Sequence, residues 1–327
     1  MPYKDRTEVT TDVSKAARTL LRGELVAFPT ETVWGLGALA TDRVGISKIY
    51  AAKGRPSDNP LIVHVADYEA ALALFMDWPS RTDAEKILRA FAPGPITVVI
   101  PRHPSLPPEV SAGLPTVGLR VPSHCVASAL LQAVGVPVAA PSANVSGRPS
   151  PTTREGVLAS LDGAIPLVLD GPRGEIGLES TVVDCTGRDP ALLRAGAVSV
   201  ESLRQVVPTL KIVAGDDVLA RSPGTRHRHY APRCGVHLVN PQHRGLPSGA
   251  RYDSAAYIGL STPSDDEPFQ MRRVCASAER YAHELFEFMR QADSAKIDLL
   301  VCEEVPTTGI GLALMDRLRR AANIEPS

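Results

Sequence analysis

Short apolar runs alternate with amphipathic stretches through the first two thirds of the chain. Runs of the length and character typical of buried strands occupy residues 25–28, 61–65, 96–100, 117–121, 136–140, 167–169 and 181–183. Apolar positions at helical spacing occupy residues 12–22, 42–54, 67–76, 82–91 and 124–134. Asp12 and Asp42 stand where each can cap the start of its helix. Because helices and strands do not alternate strictly, the pattern predicts an α/β or α+β fold on a sheet of mixed direction.

A stretch rich in Pro, Gly and basic residues, 211–232, interrupts this pattern and is predicted to link two domains. Beyond it, strands at 236–239, 256–260 and 299–302 and helices at 277–289 and 312–321 predict a small Rossmann-like α/β domain. The predicted organisation is a first domain at 1–210, a linker at 211–232 and a C-terminal domain at 233–327. The C-terminal domain has no Gly-x-Gly-x-x-Gly sequence, so nucleotide binding is not predicted there.

Composition narrows the function classes. A length of 327 residues with 44% apolar residues favours two ordered domains. The net charge of −1 excludes an overall field that attracts nucleic acid or acidic membranes, although a local basic site stays compatible with it. No window approaches the ~20 apolar residues of a membrane span, and the polar N-terminus predicts a cytoplasmic protein. Five scattered cysteines without a Cys-x-x-Cys argue against a disulfide framework or a structural zinc site.

The segment 53–61, KGRPSDNPL, holds the clearest chemical signal. Lys53 and Arg55 lie one residue apart in a loop constrained by Gly54 and Pro56, directly before the predicted strand 61–65. A guanidinium offers a planar fork of donors and an ammonium a compact point charge, so together they suit several anionic oxygens. Ordinary surface charges at a helix end are the alternative. The rigid frame favours a phosphate-bearing substrate.

Two further residues stand on predicted strands. Arg120 lies among apolar residues, where an unpaired charge is costly, so it needs a partner. A structural ion pair and a clamp for a substrate carboxylate both remain open. His64 alternates with Val63 and Val65 and therefore faces the other side of its strand, as a core histidine or a site residue.

Hydroxyl and amide residues cluster where several predicted strands end or begin. Thr30 and Thr32 precede what we predict to be a glycine-bearing turn, and residues 141–153 form a small-residue loop whose N–H groups can face an anion. Ser150 followed by Pro151 predicts a helix start there. No Gly-x-Ser-x-Gly, His-Glu-x-x-His or Walker A sequence is present. His227 and His229 lack a carboxylate or cysteine to complete a metal set, so no metal site is predicted.

Five blocks together resemble the threonylcarbamoyl-AMP synthase family, whose catalytic domain is YrdC-like. The blocks are PTETVWGL (29–36), KGRPSDNPL (53–61), APSAN (140–144), ESTVVD (179–184) and RAG (194–196). The family's K-x-R…S-x-N signature is matched by Lys53, Arg55, Ser142 and Asn144. Residues 222–232 resemble the linker of the longer, two-domain members. Two departures are the sequence TRH at 225–227, where longer members usually have Met followed by a basic and an aromatic residue, and Trp34 in place of a usual tyrosine.

The resemblance implies a YrdC-like mixed sheet around a basic cavity and a reaction of L-threonine, bicarbonate and ATP. The products are threonylcarbamoyl-AMP and pyrophosphate, and the former passes to a tRNA-modifying transferase complex for N6-threonylcarbamoyladenosine at position 37. Lys53 and Arg55 are implied to be catalytic. The implied L-threonine residues are Thr32, His64, Arg120, Ala140 and Ser180. The implied ATP residues are Arg55, Asn59, Thr116, Ser142, Asn144, Ser150, Arg194 and Tyr230. Mg²⁺ is expected with the triphosphate, but no carboxylate cluster identifies its ligands.

The linker is expected to fold back over the ATP site, with Tyr230 touching the nucleotide. A weak RNA contact is also compatible with the basic cavity. Two alternatives use the same kind of domain: an RNA-binding or ribosome-associated module that uses the same basic cavity, and carbamoyl transfer in hydrogenase maturation. The neutral charge and the lack of interleaved exposed aromatics argue against the first. The lack of zinc-finger cysteines and of an acylphosphatase-like segment argues against the second.

Overall fold

A computed structural model describes residues 6–212, 230–242 and 245–322. In its N-terminal part, the strands of the described residues form one mixed sheet in the order β1-β8-β2-β3-β7-β4-β6-β5-β9-β10-β11. These strands are β1 Glu8–Thr10, β2 Val26–Phe28, β3 Gly35–Leu39, β4 Ile62–His64, β5 Ile96–Pro101, β6 Thr116–Arg120, β7 Val138–Ala139, β8 Leu167–Leu169, β9 Thr181–Asp184, β10 Ala191–Arg194 and β11 Lys211–Ile212. The predicted sheet of mixed direction is confirmed.

Helices connect the strands of this sheet and cover it. They are α1 Val13–Leu21, α2 Arg43–Lys53, α3 Tyr68–Leu72, α4 Arg81–Phe91, α5 Cys125–Val134, α6 Arg154–Leu161 and α7 Val200–Val206. Asp12 caps α1 by accepting a hydrogen bond from the Lys15 N–H, and Asp42 caps α2 by accepting from the Val44 N–H. Gly54 ends α2 in the left-handed conformation, at φ 57°. Lys53 is therefore the last residue of α2, and Arg55 follows directly after the left-handed turn.

A second, parallel sheet forms the C-terminal unit (residues 235–322). Its strands β12 Gly235–Val239, β13 Ala255–Gly259, β14 Met271–Val274 and β15 Leu299–Glu303 lie in the order β12-β15-β13-β14. The helices α8 Ala278–Ser294 and α9 Ile310–Ala321 follow β14 and β15. A parallel sheet, with one α-helix between β14 and β15 and a second after β15, agrees with the predicted small Rossmann-like α/β domain. No helix of the described residues combines the length and apolar character that crossing a membrane requires.

The apolar core of the C-terminal unit extends into the N-terminal part. The buried cluster around α8 and α9 includes Val33 and Leu178, which precede β3 and β9, together with Tyr230. A separate large cluster packs under the mixed sheet around α2 and α4. The C-terminal unit therefore lies against the loops between β2 and β3 and before β9. The exact predicted boundaries at 210 and 233 stay predictions, and 213–229 of the predicted linker lie outside the described residues.

Two local predictions were wrong. The glycine-bearing turn predicted after Thr32 is instead the strand β3, which runs antiparallel to β2. A Cβ at Gly37 would lie 2.9 Å from Phe28 Cε1 and 3.0 Å from Val138 Cγ1, so glycine here allows close approach rather than a turn. The helix predicted at Ser150 starts at Arg154, because Thr153 supplies the cap by accepting from the Gly156 N–H at 3.1 Å.

Candidate active site

Loops from one side of the mixed sheet meet around a cavity next to the C-terminal unit. The cavity contains ≈ 660 Å³ of space free of protein atoms, part of it open to solvent. Four arginines and one glutamate carry the charges of its described lining. The lining residues are Thr30, Thr32, Val33, Trp34, Gly35, Arg55, Pro60, Ile62, His64, Arg120, Ala140, Pro141, Ser142, Asn144, Arg148, Ser150, Glu179, Ser180, Arg194 and Tyr230. A chain of nearly zero net charge thus concentrates positive charge here.

Arg120 and His64 lie side by side, because β4 and β6 pair in parallel with His64 opposite Arg120. Arg120 Nη2 donates to Glu31 Oε1 at 2.6 Å and to Thr32 Oγ1 at 3.0 Å. Its Nε, in contrast, has no partner among the described residues. The structure therefore contains the ion pair that the sequence left open, while the buried Nε of this lining residue keeps a donor that the described residues leave unused.

His64 is held neutral. Its Nδ1 lies 3.1 Å from the Ile62 carbonyl oxygen. Burial, together with the charge of Arg120, lowers the pKa of His64 to about 3, against the smaller opposing effect of this hydrogen bond. At neutral pH the imidazole therefore adds a polar but uncharged surface to the cavity.

Lys53 and Arg55 have different places. Arg55 lines the cavity, and its Nη2 donates to Asn59 Oδ1 and, at 3.0 Å, to the Pro60 carbonyl. Burial lowers the pKa of Arg55 to about 10. Lys53 is 1% exposed and lies behind the lining, where its ammonium donates to the backbone carbonyls of Ser142 and Asn144. Burial, then the charge of Arg55, lowers the pKa of Lys53 well below its ordinary value.

The loop after β7 gives the cavity its polar wall. Asn144 Nδ2 donates to the carbonyls of Val145 and Arg148, at 2.8 and 2.9 Å, and its Oδ1 is buried without a partner among the described residues. Ser150 Oγ donates to Glu179 Oε1 at 2.6 Å. The loop therefore offers the cavity an unused acceptor and a hydroxyl whose direction is fixed by a carboxylate.

Arg194, the last residue of β10, is a further cation of the lining. Arg194 donates from Nε to the Ser180 carbonyl at 3.0 Å and from Nη2 to Ser180 Oγ at 3.1 Å. Ser180 Oγ also lies 2.7 Å from Thr97 Oγ1. Burial is the largest effect on Arg194 and lowers its pKa. The hydroxyl and guanidinium thus have defined positions before any ligand is bound.

Tyr230 closes the side of the cavity that faces the C-terminal unit. It is 5% exposed and stacks on Phe286 of α8, with ring centroids 5.4 Å apart. Arg317 of α9 lies with its Cζ 5.4 Å from the centre of the Tyr230 ring. Burial raises the pKa of Tyr230, so its hydroxyl stays protonated. The residue after it, Ala231, donates to the Gly147 carbonyl at 3.2 Å, which ties this segment to the polar wall.

Comparison with known proteins agrees with this geometry. Residues 18–196 match the Sua5/YciO/YrdC family model, described as "Telomere recombination", and residues 198–323 match one described as "Threonylcarbamoyl-AMP synthase, C-terminal domain". A threonylcarbamoyl-AMP synthase of Pyrococcus abyssi is 39% identical over 320 residues, 94% of this chain and 93% of that protein. The chain belongs to the threonylcarbamoyl-AMP synthase family. A second family member, from Bacillus subtilis, is also 39% identical, over 95% of this chain and 92% of its own length.

A solved structure supports family membership at the level of the fold. The crystal structure of Pyrococcus abyssi Sua5 complexed with L-threonine superimposes with a TM-score of 0.86 at 36% identity, covering 96% of both chains. The similarity therefore includes both sheets. The family signature K-x-R…S-x-N also has a physical link in this chain, because the Lys53 ammonium binds the backbone at Ser142 and Asn144.

Most residues implied by the family resemblance line the cavity, and three do not. Lys53 and Asn59 lie behind the lining, and Thr116 stands at the start of β6 outside it. Asn59 is fully buried and holds Arg55, so it contributes through that side chain. Sequence interpretation also missed the partners Glu31, Glu179 and Arg317. For the two glutamates, the only signal in the sequence was that buried cations such as Arg120 need carboxylate partners; no signal identified Arg317.

Among the described residues, no cluster of three or more His, Cys, Asp or Glu side chains is suited to a metal. Glu179, in the cavity lining, and Glu31, outside it, are each in an ion pair with an arginine. His227 and His229 lie outside the described residues.

Proposed function

We propose that this chain joins L-threonine, bicarbonate and ATP to give threonylcarbamoyl-AMP, pyrophosphate and water. The observation that carries the proposal is one cavity whose lining contains Arg120, a candidate partner for a carboxylate, together with Arg55 and Arg194, candidate partners for phosphate. The names of the relatives support the same reaction, and their extent through residues 198–323 favours it over carbamoyl transfer in hydrogenase maturation.

L-threonine is proposed to occupy the end of the cavity at β4 and β6. Arg120 lines this end of the cavity, and a guanidinium fork can bind a carboxylate bidentately. The Thr32 hydroxyl contacts Arg120 at this end, the Ser180 hydroxyl lines the same cavity beside Arg194, and Ala140 leaves apolar surface for the substrate methyl group. Neutral His64 fits beside an amine that must lose its proton before it can attack, because it adds no second positive charge.

ATP is proposed to occupy the end at Arg55 and Arg194. The two guanidinium groups offset phosphate charge, and Ser142, Asn144 and Ser150 offer neutral polar contacts. Tyr230 offers an aromatic surface within the lining. Mg²⁺ would enter with the triphosphate as part of the substrate, since the described protein groups do not form a metal cluster. Thr116 has no contact in this structure that supports an ATP role.

The chemistry follows from this arrangement. The threonine amine adds to bicarbonate, and loss of water gives the carbamate. A carbamate oxygen then attacks the α-phosphorus of ATP, and pyrophosphate leaves. Both reactants of this second step are anionic, so the arginines lower their repulsion while the fixed walls hold them in contact. Lys53 would contribute by holding the wall at Ser142 and Asn144 rather than by contacting phosphate.

The test is pyrophosphate release by the pure chain, with mass spectrometry of the adenylate product. Release should require both L-threonine and bicarbonate, and Arg55→Ala should abolish most of it. Release without threonine, or none with all three substrates, would contradict the proposal. The RNA-binding alternative predicts instead a salt-dependent shift of tRNA by the chain without turnover. Transfer of the product to a tRNA-modifying complex and the cytoplasmic location remain predictions.

A further inference from the structure

A buried arginine of the C-terminal unit contacts the wall of the cavity. Arg317, on α9, has no exposed surface, and its Nε donates to Glu179 Oε2 at 3.0 Å across 138 residues of sequence. The other oxygen of the same carboxylate accepts from Ser150 Oγ. Glu179 therefore connects Arg317 to a hydroxyl that lines the cavity.

Arg317 also contacts the aromatic side of the cavity. Its guanidinium carbon lies 5.4 Å from the centre of the Tyr230 ring, within range of a cation–π interaction. Its Nη1 donates to Asp316 at 2.8 Å, while Nη2 has no partner among the described residues. Burial by itself would lower the pKa of Arg317, but Tyr230, Glu179 and Asp316 outweigh it and raise the pKa. Arg317 is therefore a permanent cation.

The positive charge of Arg317 matters because Glu179, with which it pairs, lies in the cavity lining. A carboxylate in the lining of a site for a triphosphate repels the ligand unless a cation compensates it. Arg317 is the cation paired with it among the described residues. The same pair fixes the carboxylate oxygen toward which Ser150 donates.

We propose that Arg317 is a positioning residue for the ATP end of the cavity, which makes the C-terminal unit part of the nucleotide site. It acts by compensating Glu179 and by holding Tyr230 in the lining. The proposal rests on the proposed function for the identity of the nucleotide. A purely structural role, as a contact between the two units, is the alternative that the experiment must separate.

The experiment compares ATP and L-threonine affinities by calorimetry in Arg317→Gln, Glu179→Gln/Arg317→Gln and a control, Arg319→Gln. The control removes the same charge two residues away on α9, from a partly exposed side chain. Arg317→Gln should weaken ATP binding about tenfold or more, the effect of one uncompensated charge a few ångströms away, and leave L-threonine affinity within about threefold. Arg319→Gln should bind both ligands like the wild type.

The double variant gives the decisive comparison. Removing the carboxylate as well should recover at least about threefold of the lost ATP affinity, because the repulsion disappears with Glu179. ATP affinity unchanged in Arg317→Gln, equal loss of both ligands, or a double variant no tighter than the single would overturn the proposal. If Arg317→Gln is unstable, Arg317→Lys replaces it, with about threefold weaker ATP binding expected and unchanged ATP binding as the contrary result.

Failure of the proposed function would look different. A wild-type chain that binds ATP but forms no threonylcarbamoyl-AMP would refute the reaction, whereas the ATP affinities of the variants would still test Arg317.

Discussion

Replacing Lys53 and Arg55 separately by methionine should give two different failures, because the structure places only Arg55 in the lining. Methionine keeps an unbranched chain of similar length and removes the charge. For Lys53 it leaves the carbonyls of Ser142 and Asn144 without their donor. Each buried carbonyl left without a hydrogen-bond donor costs ~1–3 kcal/mol, and removing a buried polar group from the core offsets part of this. A net loss of about 2–4 kcal/mol of unfolding free energy follows.

The two variants are distinguished by melting temperature and turnover. At about 2 °C per kcal/mol for a chain of this size, Lys53→Met should melt about 4–8 °C lower. Its turnover should fall through the displaced loop. Arg55→Met should lower turnover about 100-fold or more, the usual cost of one preorganised charge, with a smaller shift in melting temperature.

Lys86→Met is the matched control. Lys86 pairs with Asp83 at the surface with 54% of its side chain exposed, so its loss should move the melting temperature by about 1 °C. If Lys53→Met melts within that margin while turnover falls 100-fold, Lys53 acts directly on substrate. The reasoning from its buried position would then be wrong.

Three further outcomes are expected. Arg120→Gln should weaken L-threonine binding, measured by calorimetry, about tenfold or more, and it should destabilise the fold. Adding Glu31→Gln to this variant should restore part of the stability but not the affinity, and full L-threonine affinity in Arg120→Gln would contradict its proposed role as a carboxylate clamp. The pKa of His64 is about 3 in the folded state and ~6.5 in the unfolded state, so the unfolded state binds an extra proton as the pH falls below 6.5. The free energy of unfolding of the wild type, measured with urea, should therefore fall by about 2 kcal/mol between pH 7 and pH 5, and that of His64→Gln should not show this loss. An equal pH dependence in the two proteins would contradict the prediction. L-serine should support pyrophosphate release with ~10–100-fold lower kcat/KM than L-threonine, and equal rates would contradict a pocket that contacts the methyl group.

The sequence predicted those elements whose ends depend only on neighbouring residues. The helices α1 and α2 follow from Asp12, Asp42 and Gly54, since a cap and a left-handed end need only neighbouring backbone. β3 was missed because Gly35 and Gly37 suggest a turn when read alone. Their need for small size comes from Phe28 and strand β7, which no local pattern reveals.

In the candidate site, too, the sequence predicted residue chemistry but not contacts between distant segments. Residue type identified Arg55 and Arg120 as cations that need anionic partners, and the structure places both in one lining. Residue type alone does not show which cation faces the ligand, so the sequence predicts the same role for Lys53 and Arg55. In the structure, Lys53 binds backbone carbonyls behind the lining and Arg55 lines the cavity. The bond between Glu179 and Arg317 joins two sheets and is not predictable from either segment.

The placement of acidic groups explains how a nearly neutral chain holds a site for two anionic substrates. Glu31 and Glu179 each take up one buried arginine, Arg120 from the mixed sheet and Arg317 from α9. A carboxylate fixes an arginine more firmly than neutral acceptors do, and it also removes that arginine's full charge from the field on the ligand. The hydrogen bonds described above for Arg55 and Arg194 go to carbonyl, amide and hydroxyl oxygens, which neutralise less of a guanidinium charge than a carboxylate does. Carboxylate partners would therefore serve to orient groups at the edges of the cavity, and neutral partners to hold the cations on which phosphate binding depends.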